Sequence, residues 1–278
     1  MQIKSYAKVN LSLRVISKLK NGLHDIQSNI FLIDLFDKII IKKNLKKKDS
    51  IFFKGKFKKN VSPKNNTVTK ILRALREYSI TKSFYDVSIK KNIPIFAGLG
   101  GGSSNAAFVA KYIKKGLVKN KNFRKIKKNL GTDFELFFFN RLYLNGLSKI
   151  SIIRNRFKLD LILVYPKINC KTSEIYSKVK KFSKKNNFNY SKIRSKSKFI
   201  NALKNEKNDL QRIVVNKYPK IKIILEYLSK QKGCYFSRIT GSGSVCFGLF
   251  KSNKVAIKAL KKIKKRFPKY WCVVTKTI

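Results

Sequence analysis

Pro94, Ile95, Phe96, Ala97, Gly98, Leu99, Gly100, Gly101, Gly102, Ser103 and Ser104 place four of the chain's thirteen glycines and two adjacent hydroxyls in eleven positions, just where a helical pattern begins. Glycine has no Cβ, so the backbone can turn through positive φ and aim successive N–H groups at one anion. A helix starting near Ser103 adds the positive end of its dipole. The segment enters from an apolar Pro-Ile-Phe-Ala lead-in and leaves into Ser-Ser-Asn-Ala-Ala-Phe-Val-Ala, a context that favours a phosphate cradle over a flexible linker. Two common templates fail. The dinucleotide-binding pattern needs glycine where Ser103 stands, and a Walker loop needs a lysine that is missing between Gly98 and Ser104.

The chain has 278 residues, 43% hydrophobic and 12% aromatic, enough for two modest domains with apolar cores. Its formal charge of +53 would suit nucleic acid or an anionic surface. The distribution argues against both. Only eleven of the 66 basic residues are arginine, and the lysines spread along the whole chain, as at 42–48, 54–59, 178–185 and 258–265. Base readout favours arginine forks, whereas lysine is a point charge. Compositional drift toward Lys, Asn, Ile, Phe and Tyr accounts for the excess, with no specific nucleic-acid partner and no membrane. Four cysteines form no C-x-x-C pair, the N-terminal residues carry lysines where a signal peptide is apolar, and no run reaches the length of a membrane span. A cytoplasmic protein is expected.

Alternation predicts strands at 3–15, 37–43, 51–57 and 85–91, the last delivering the chain into the glycine segment. Asn66 is an N-cap for a helix carrying Val68, Ile71, Leu72, Leu75 and Tyr78 on one face. Helices are expected at 103–115 and 123–130, the second ended by Gly131, so that Thr132 and Asp133 follow its C-terminus. A buried strand at 159–165 opens a second domain, with helices at 172–184, 197–205, 208–216, 219–231 and 254–266 and strands at 234–239, 245–250 and 270–276. The boundary falls near 155, giving domains 1–154 and 155–278. The fold class is α+β.

Phosphoryl transfer also needs charge neutralisation and a group to orient or deprotonate the attacking hydroxyl. Among only thirteen acids, Asp133 follows a helix-ending glycine and precedes Phe134 and an apolar run from Leu136 to Phe139, a setting that requires the carboxylate to be paired or functional. Lys8 lies in a half-apolar strand and shares a face with Asn10. His24 is the chain's single histidine, in Asn-Gly-Leu-His-Asp. Thr240-Gly-Ser-Gly-Ser joins two predicted strands, as an ordinary hairpin turn would.

Together these segments resemble the GHMP kinase superfamily over nearly the whole chain. The resemblance rests on Ala7 to Leu11, Gly22-Leu23-His24, Pro94 to Ala107, Leu130 to Asp133, Pro166, Thr172, Tyr176, Asn208-Asp209-Leu210 and Thr240-Gly-Ser-Gly-Ser. Lys-Val-Asn-Leu with Gly-Leu-His selects its cytidylyl-erythritol branch over homoserine or mevalonate kinases. The resemblance implies a two-domain GHMP kinase fold, with a left-handed βαβ unit in the N-terminal domain, a ferredoxin-like C-terminal domain and an active site in the cleft between them. It implies that Pro94 to Ser104 wraps ATP phosphates, that Asp133 acts on the substrate hydroxyl, and that Lys8 pairs with that carboxylate and stabilises the transferring phosphoryl group. Asn10 would position the substrate, His24 would read the cytosine edge and Tyr176 would stack on its ring. ATP with Mg²⁺ is implied, Ser103 and Ser104 being candidates for metal or phosphate contact. The expected reaction is ATP-dependent phosphorylation of the 2-hydroxyl of a small cytidylyl methylerythritol in non-mevalonate isoprenoid synthesis. The family's tyrosine before the histidine is Leu23 here. Two alternatives stand beside this reading: another small-molecule kinase of the superfamily, and a basic nucleic-acid-binding protein.

Overall fold

The computed structural model describes residues 1–59, 61–147 and 149–278. Strands β1 (Gln2–Asn10), β2 (Arg14–Lys18), β3 (His24–Asn44) and β4 (Ser50–Lys54) come first, followed by helix α1 (Thr67–Glu77), strand β5 (Phe84–Lys90) and helices α2 (Gly101–Ile113) and α3 (Phe123–Lys128). Strands β6 (Arg141–Asn145), β7 (Ile150–Ile152) and β8 (Asp160–Tyr165) precede helices α4 (Thr172–Ser177), α5 (Lys196–Lys204), α6 (Leu210–Lys217) and α7 (Pro219–Ser229). Strands β9 (Cys234–Ile239) and β10 (Cys246–Phe250), helix α8 (Asn253–Arg266) and strand β11 (Trp271–Lys276) complete the chain. Among the described residues no helix is long and apolar enough to cross a membrane.

The chain forms two compact units. The first comprises Met1–Lys8, Leu35–Ile95 and Gly100–Asn140, the second Val9–Asp34, Phe96–Leu99 and Arg141–Ile278. In the first, β4 and β5 are parallel, so α1 is the crossover of a βαβ unit. The far edge of β5 pairs antiparallel with residues 38–44 of β3. Helix α1 begins where the sequence predicts, because Asn66 Oδ1 accepts from the N–H groups of Val68 (2.9 Å) and Thr69 (3.0 Å). Its Val68, Ile71, Leu72 and Leu75 are buried, each contributing about 1.5–3 kcal/mol. Helix α2 packs against α1 and buries Ala106, Ala107 and Ala110, side chains small enough to let the two helices approach.

The second unit contains a four-stranded antiparallel sheet in the order β11-β8-β10-β9, with α4 to α7 between β8 and β9 and α8 between β10 and β11. This is the ferredoxin-like arrangement. Helix α8 buries Ala256, Ala259 and Ile263 and turns its lysines to solvent. The molecule is α+β, as the sequence indicates.

Several expected elements differ. The strand expected at 37–43 is the second half of β3, which begins at His24, and the one expected at 51–57 ends at Lys54. The single strand expected at 3–15 divides after Asn10, because the N–H groups of Leu11 and Leu13 leave the ladder for the carbonyls of Asn29 (2.8 Å) and Lys207 (2.9 Å). The helix expected at 172–184 stops at Ser177. Beyond it, the Ser183 N–H bonds Val15 O at 2.8 Å, its Oγ bonds Asp209 Oδ2 at 2.7 Å, and the Asn186 N–H bonds Gln27 Oε1 at 2.7 Å. These long-range bonds outweigh helix propensity in a lysine-rich run.

Candidate active site

In the first unit, a buried polar cluster sets the foot of the glycine segment. Asp37 is fully buried; its Oδ1 accepts from the N–H groups of Asn92 (2.7 Å) and Ile93 (2.9 Å). Its Oδ2 takes the Lys91 ammonium and the Asn105 amide, the latter at 3.0 Å, and Lys91 also donates to Asn105 Oδ1 at 3.0 Å. One carboxylate thus ties the end of β5 to the first turns of α2. The Asn105 Nδ2 also donates to Ser5 Oγ at 3.0 Å, and Ser104 Oγ donates to Tyr6 O at 2.6 Å, so β1 is held to the same helix.

Gly100 caps α2 at φ +68° with no side-chain cap. A Cβ there would lie 2.6 Å from the Phe137 ring and 3.3 Å from Lys8 Cε. Only glycine lets this backbone pass between the two. The Lys8 ammonium stands 3.5 Å from Asp133 Oδ2; the lysine side chain is 6% exposed and the aspartate 41%. Asp133 follows Gly131 (φ +87°) and its carbonyl accepts from Leu136 N–H, opening the short turn at 135–138 whose Leu136 and Phe137 are buried. Apolar anchoring from Phe134 and Phe137 therefore fixes a carboxylate that itself reaches solvent. Lys111 of α2 supports this turn, donating to Phe137 O at 2.6 Å and lying over the rings of Phe108 and Phe138.

The start of α2 has what a phosphate requires. Its first N–H groups point outward from a 13-residue helix, and the half-buried Ser103 hydroxyl has no hydrogen-bond partner among the described residues. Gly102 faces open space apart from Thr67, whose Oγ1 donates to Gly102 O at 2.7 Å. The Ser104 hydroxyl, by contrast, is buried and spent on Tyr6 and Ser5, so only Ser103 offers a side-chain oxygen. Pro94 and Ile95 belong to this unit and lead directly off the Asp37 anchor.

In the second unit, Phe96, Ala97, Gly98 and Leu99 lie against the Thr240 turn. Val245 N–H donates to Ala97 O, and a Cβ on Gly98 (φ +75°) would fall 2.2 Å from Thr240 O. Thr240 Oγ1 accepts from Asn10 N–H at 2.9 Å, and the buried Asn10 amide donates to Ser28 Oγ at 2.8 Å. The Asn208 amide clasps the same turn through Ile239 O and Gly241 O, both at 2.9 Å, while Thr172 Oγ1 meets Ser242 Oγ at 3.0 Å. What reads in the sequence as a plain hairpin is the point where α4, α6 and the end of β1 converge.

His24 and Tyr176, distant in sequence, come together with ring centroids 5.1 Å apart. Phe182, 46% exposed, lies 6.4 Å from His24 on the segment expected to be helical. Sequence reasoning missed it because Phe182, with Ile175 and Val179 at helical spacing, reads as one more apolar position of the expected helix. Burial, with the Lys18 charge beside it in the β2–β3 pair, holds the His24 imidazole below the usual histidine range. Leu23 is 43% exposed.

Residues 66–133 match the family model of the GHMP kinases N terminal domain, and residues 193–269 that of the GHMP kinases C terminal. A Pelagibacter ubique protein named 4-diphosphocytidyl-2-C-methyl-D-erythritol kinase is 40% identical, covering 100% of this chain and 99% of its own. A protein of the same name from Thermodesulfovibrio yellowstonii is 32% identical over 99% of this chain and 97% of its own. Among solved structures, a 4-(cytidine 5'-diphospho)-2C-methyl-D-erythritol kinase superposes with a TM-score of 0.76 at 20% identity, covering 100% of both chains. Homoserine kinase from Cytophaga hutchinsonii follows the same fold with a TM-score of 0.73 at 14% identity, covering 100% of this chain and 94% of that one. The chain belongs to the GHMP kinases and, within them, to the family of 4-diphosphocytidyl-2-C-methyl-D-erythritol kinases.

Proposed function

We propose that the protein transfers the γ-phosphoryl group of ATP to the 2-hydroxyl of 4-diphosphocytidyl-2-C-methyl-D-erythritol, with Asp133 and Lys8 at the reacting centre. The observation that carries this reading is the Lys8–Asp133 pair at 3.5 Å, with the same lysine packed beside Gly100 at the start of α2. A carboxylate that can take a hydroxyl proton, a cation and a helix N-terminus suited to phosphate are the parts a direct transfer needs.

In that transfer the substrate oxygen bonds the γ-phosphorus, the bond to the bridging oxygen breaks, and its electron pair leaves with ADP. The hydroxyl proton passes toward Asp133. Lys8 neutralises charge on the transferring group, and the N–H groups at Gly101 to Ser103 hold phosphate oxygens. Bound Mg²⁺ would supply further neutralisation. The Ser103 hydroxyl, without a hydrogen-bond partner among the described residues at the start of α2, is a side chain that would share an ion carried chiefly by the phosphates.

His24, Tyr176 and Asn10 serve the cytidylyl end: a ring edge for hydrogen bonding, a ring face for stacking, and a buried amide. The four cysteines are free thiols, which fits a cytoplasmic setting, and the scattered lysines call for no nucleic-acid partner. The test offers the purified protein ATP and Mg²⁺ with the cytidylyl substrate, homoserine or mevalonate in separate reactions. ADP release with the first alone supports the reading; release with either of the others alone overturns it.

A further inference from the structure

We infer that the second unit carries a separate binding site for a nucleotide-sized polyphosphate anion, in the cavity between residues 178–183 and helix α6. The cavity has a volume of about 710 Å³, within the range of about 300–1,000 Å³ typical of small-molecule sites. Six cations line it: Lys178, Lys180, Lys181, Lys207, Arg212 and Lys217. Asp209 is the one carboxylate in the lining, and it is already spent. Its Oδ2 accepts from Val15 N–H at 2.8 Å and Ser183 Oγ at 2.7 Å, and its Oδ1 pairs with Lys207 at 3.3 Å.

Lys178 and Lys217 share Glu174, which stands outside the lining. Lys180, Lys181 and Arg212 have no ion-pair partner among the described residues. Three uncompensated cations facing one concavity raise a positive potential that a low-dielectric wall focuses inward. The Ser183–Asp209 and Ser183–Val15 bonds hold the 178–183 segment in place, so the hollow exists without a ligand to form it.

The charge pattern selects the ligand class. An Arg212 fork and flexible ammonium groups match phosphoryl oxygens, and several such groups favour a chain of phosphates over a single one. Val179, Ile213 and the Phe182 ring give the same cavity an apolar wall, large enough for an organic portion. Phe182 also contacts His24, so the cavity abuts the aromatic group assigned above to the cytidylyl end, yet neither His24 nor Tyr176 lines it.

The experiment titrates the full chain with inorganic tripolyphosphate at near-physiological ionic strength, with the glycine segment saturated by a non-hydrolysable ATP analogue, first without and then with saturating CDP to occupy the cytidylyl end. One variant is Lys180→Gln/Lys181→Gln/Arg212→Gln; its charge-matched control is Lys261→Gln/Lys262→Gln/Lys265→Gln on the exposed face of α8. All six positions are solvent-exposed, and circular dichroism checks both folds. The cavity variant should weaken tripolyphosphate binding by at least about tenfold while the control stays within about twofold. Tripolyphosphate binding that persists under saturating CDP supports a site distinct from the cytidylyl end; binding abolished by CDP shows one shared site and overturns the proposal. Equal weakening by the two triple variants, or no binding to the unaltered protein, overturns the site.

Discussion

Lys91 and Asp37 form a buried ion pair at the foot of the glycine segment, their side chains 3% and 0% exposed. The pair does more than offset its own desolvation, because the same carboxylate also holds Asn105 and the backbone N–H groups of Asn92 and Ile93. Lys91→Met leaves that charge buried without its cation and should cost about 3–5 kcal/mol in denaturant unfolding. The double variant Lys91→Met/Asp37→Leu should not recover the loss fully, since it leaves both backbone groups unsatisfied. Full recovery would show that the ion pair alone matters.

Two glycines in one motif should respond in opposite ways. At Gly98, alanine meets positive φ and the Thr240 carbonyl 2.2 Å from its Cβ, so Gly98→Ala should lose about 1–3 kcal/mol from the backbone alone, with the clash in addition. At Gly102 the nearest side-chain atom would be 3.5 Å away, inside the first turn of a helix that alanine favours. Gly102→Ala should therefore keep or raise the melting temperature. If this face carries phosphate, KM for ATP should still rise roughly tenfold, the equivalent of one charge-assisted hydrogen bond. Kinetics and thermal unfolding together separate the two sites.

Tyr176→Ala should raise KM for the cytidylyl substrate by about 5- to 150-fold, since a lost aromatic stack is worth about 1–3 kcal/mol. KM for ATP should change little. Burial and Lys18 hold His24 below the usual histidine range, so its neutral form persists to lower pH than that of an exposed imidazole. KM for the cytidylyl substrate should stay flat as pH falls through the ordinary histidine range and rise only below it, and His24→Gln should remove that rise. A rise centred at the ordinary value would contradict the burial.

Burial pushes the Lys111 ammonium down from 10.5 to about 8. The folded state therefore binds fewer protons than the unfolded state between those values, and stability must increase with pH across that window. The charge penalty is complete below about 8 and disappears as pH rises toward the unfolded value of 10.5. Comparing Lys111→Met with the unaltered chain cancels the contribution of the other lysines. The stability difference between the two should shrink by pH 10; a constant difference would place the ammonium in water.

Periodicity was enough to locate α1, α8 and the ferredoxin-like sheet strands, because their apolar positions repeat at the spacing of the face they bury. Glycine density located the start of α2 for a related reason: Gly98 and Gly100 are squeezed by Thr240 and Phe137, and no other residue fits. The Asp37–Lys91–Asn105 cluster was illegible, since its members lie 14 to 68 positions apart and nothing local marks one lysine among so many. The segment after Ser177 was misjudged for the same reason. Its conformation is set by Val15, Gln27 and Asp209, far away in sequence.

The most direct test of the central claim is transfer of labelled γ-phosphate from ATP to 4-diphosphocytidyl-2-C-methyl-D-erythritol, measured under single-turnover conditions for the unaltered chain, Asp133→Asn and Lys8→Met. Asp133 is 41% exposed and Asn is isosteric, so that variant should fold normally and bind both substrates. Its transfer rate should fall by about 10²–10⁴-fold, with Lys8→Met falling comparably. Phosphorylated product at the normal rate from folded Asp133→Asn would contradict the assignment of the Lys8–Asp133 pair as the reacting centre.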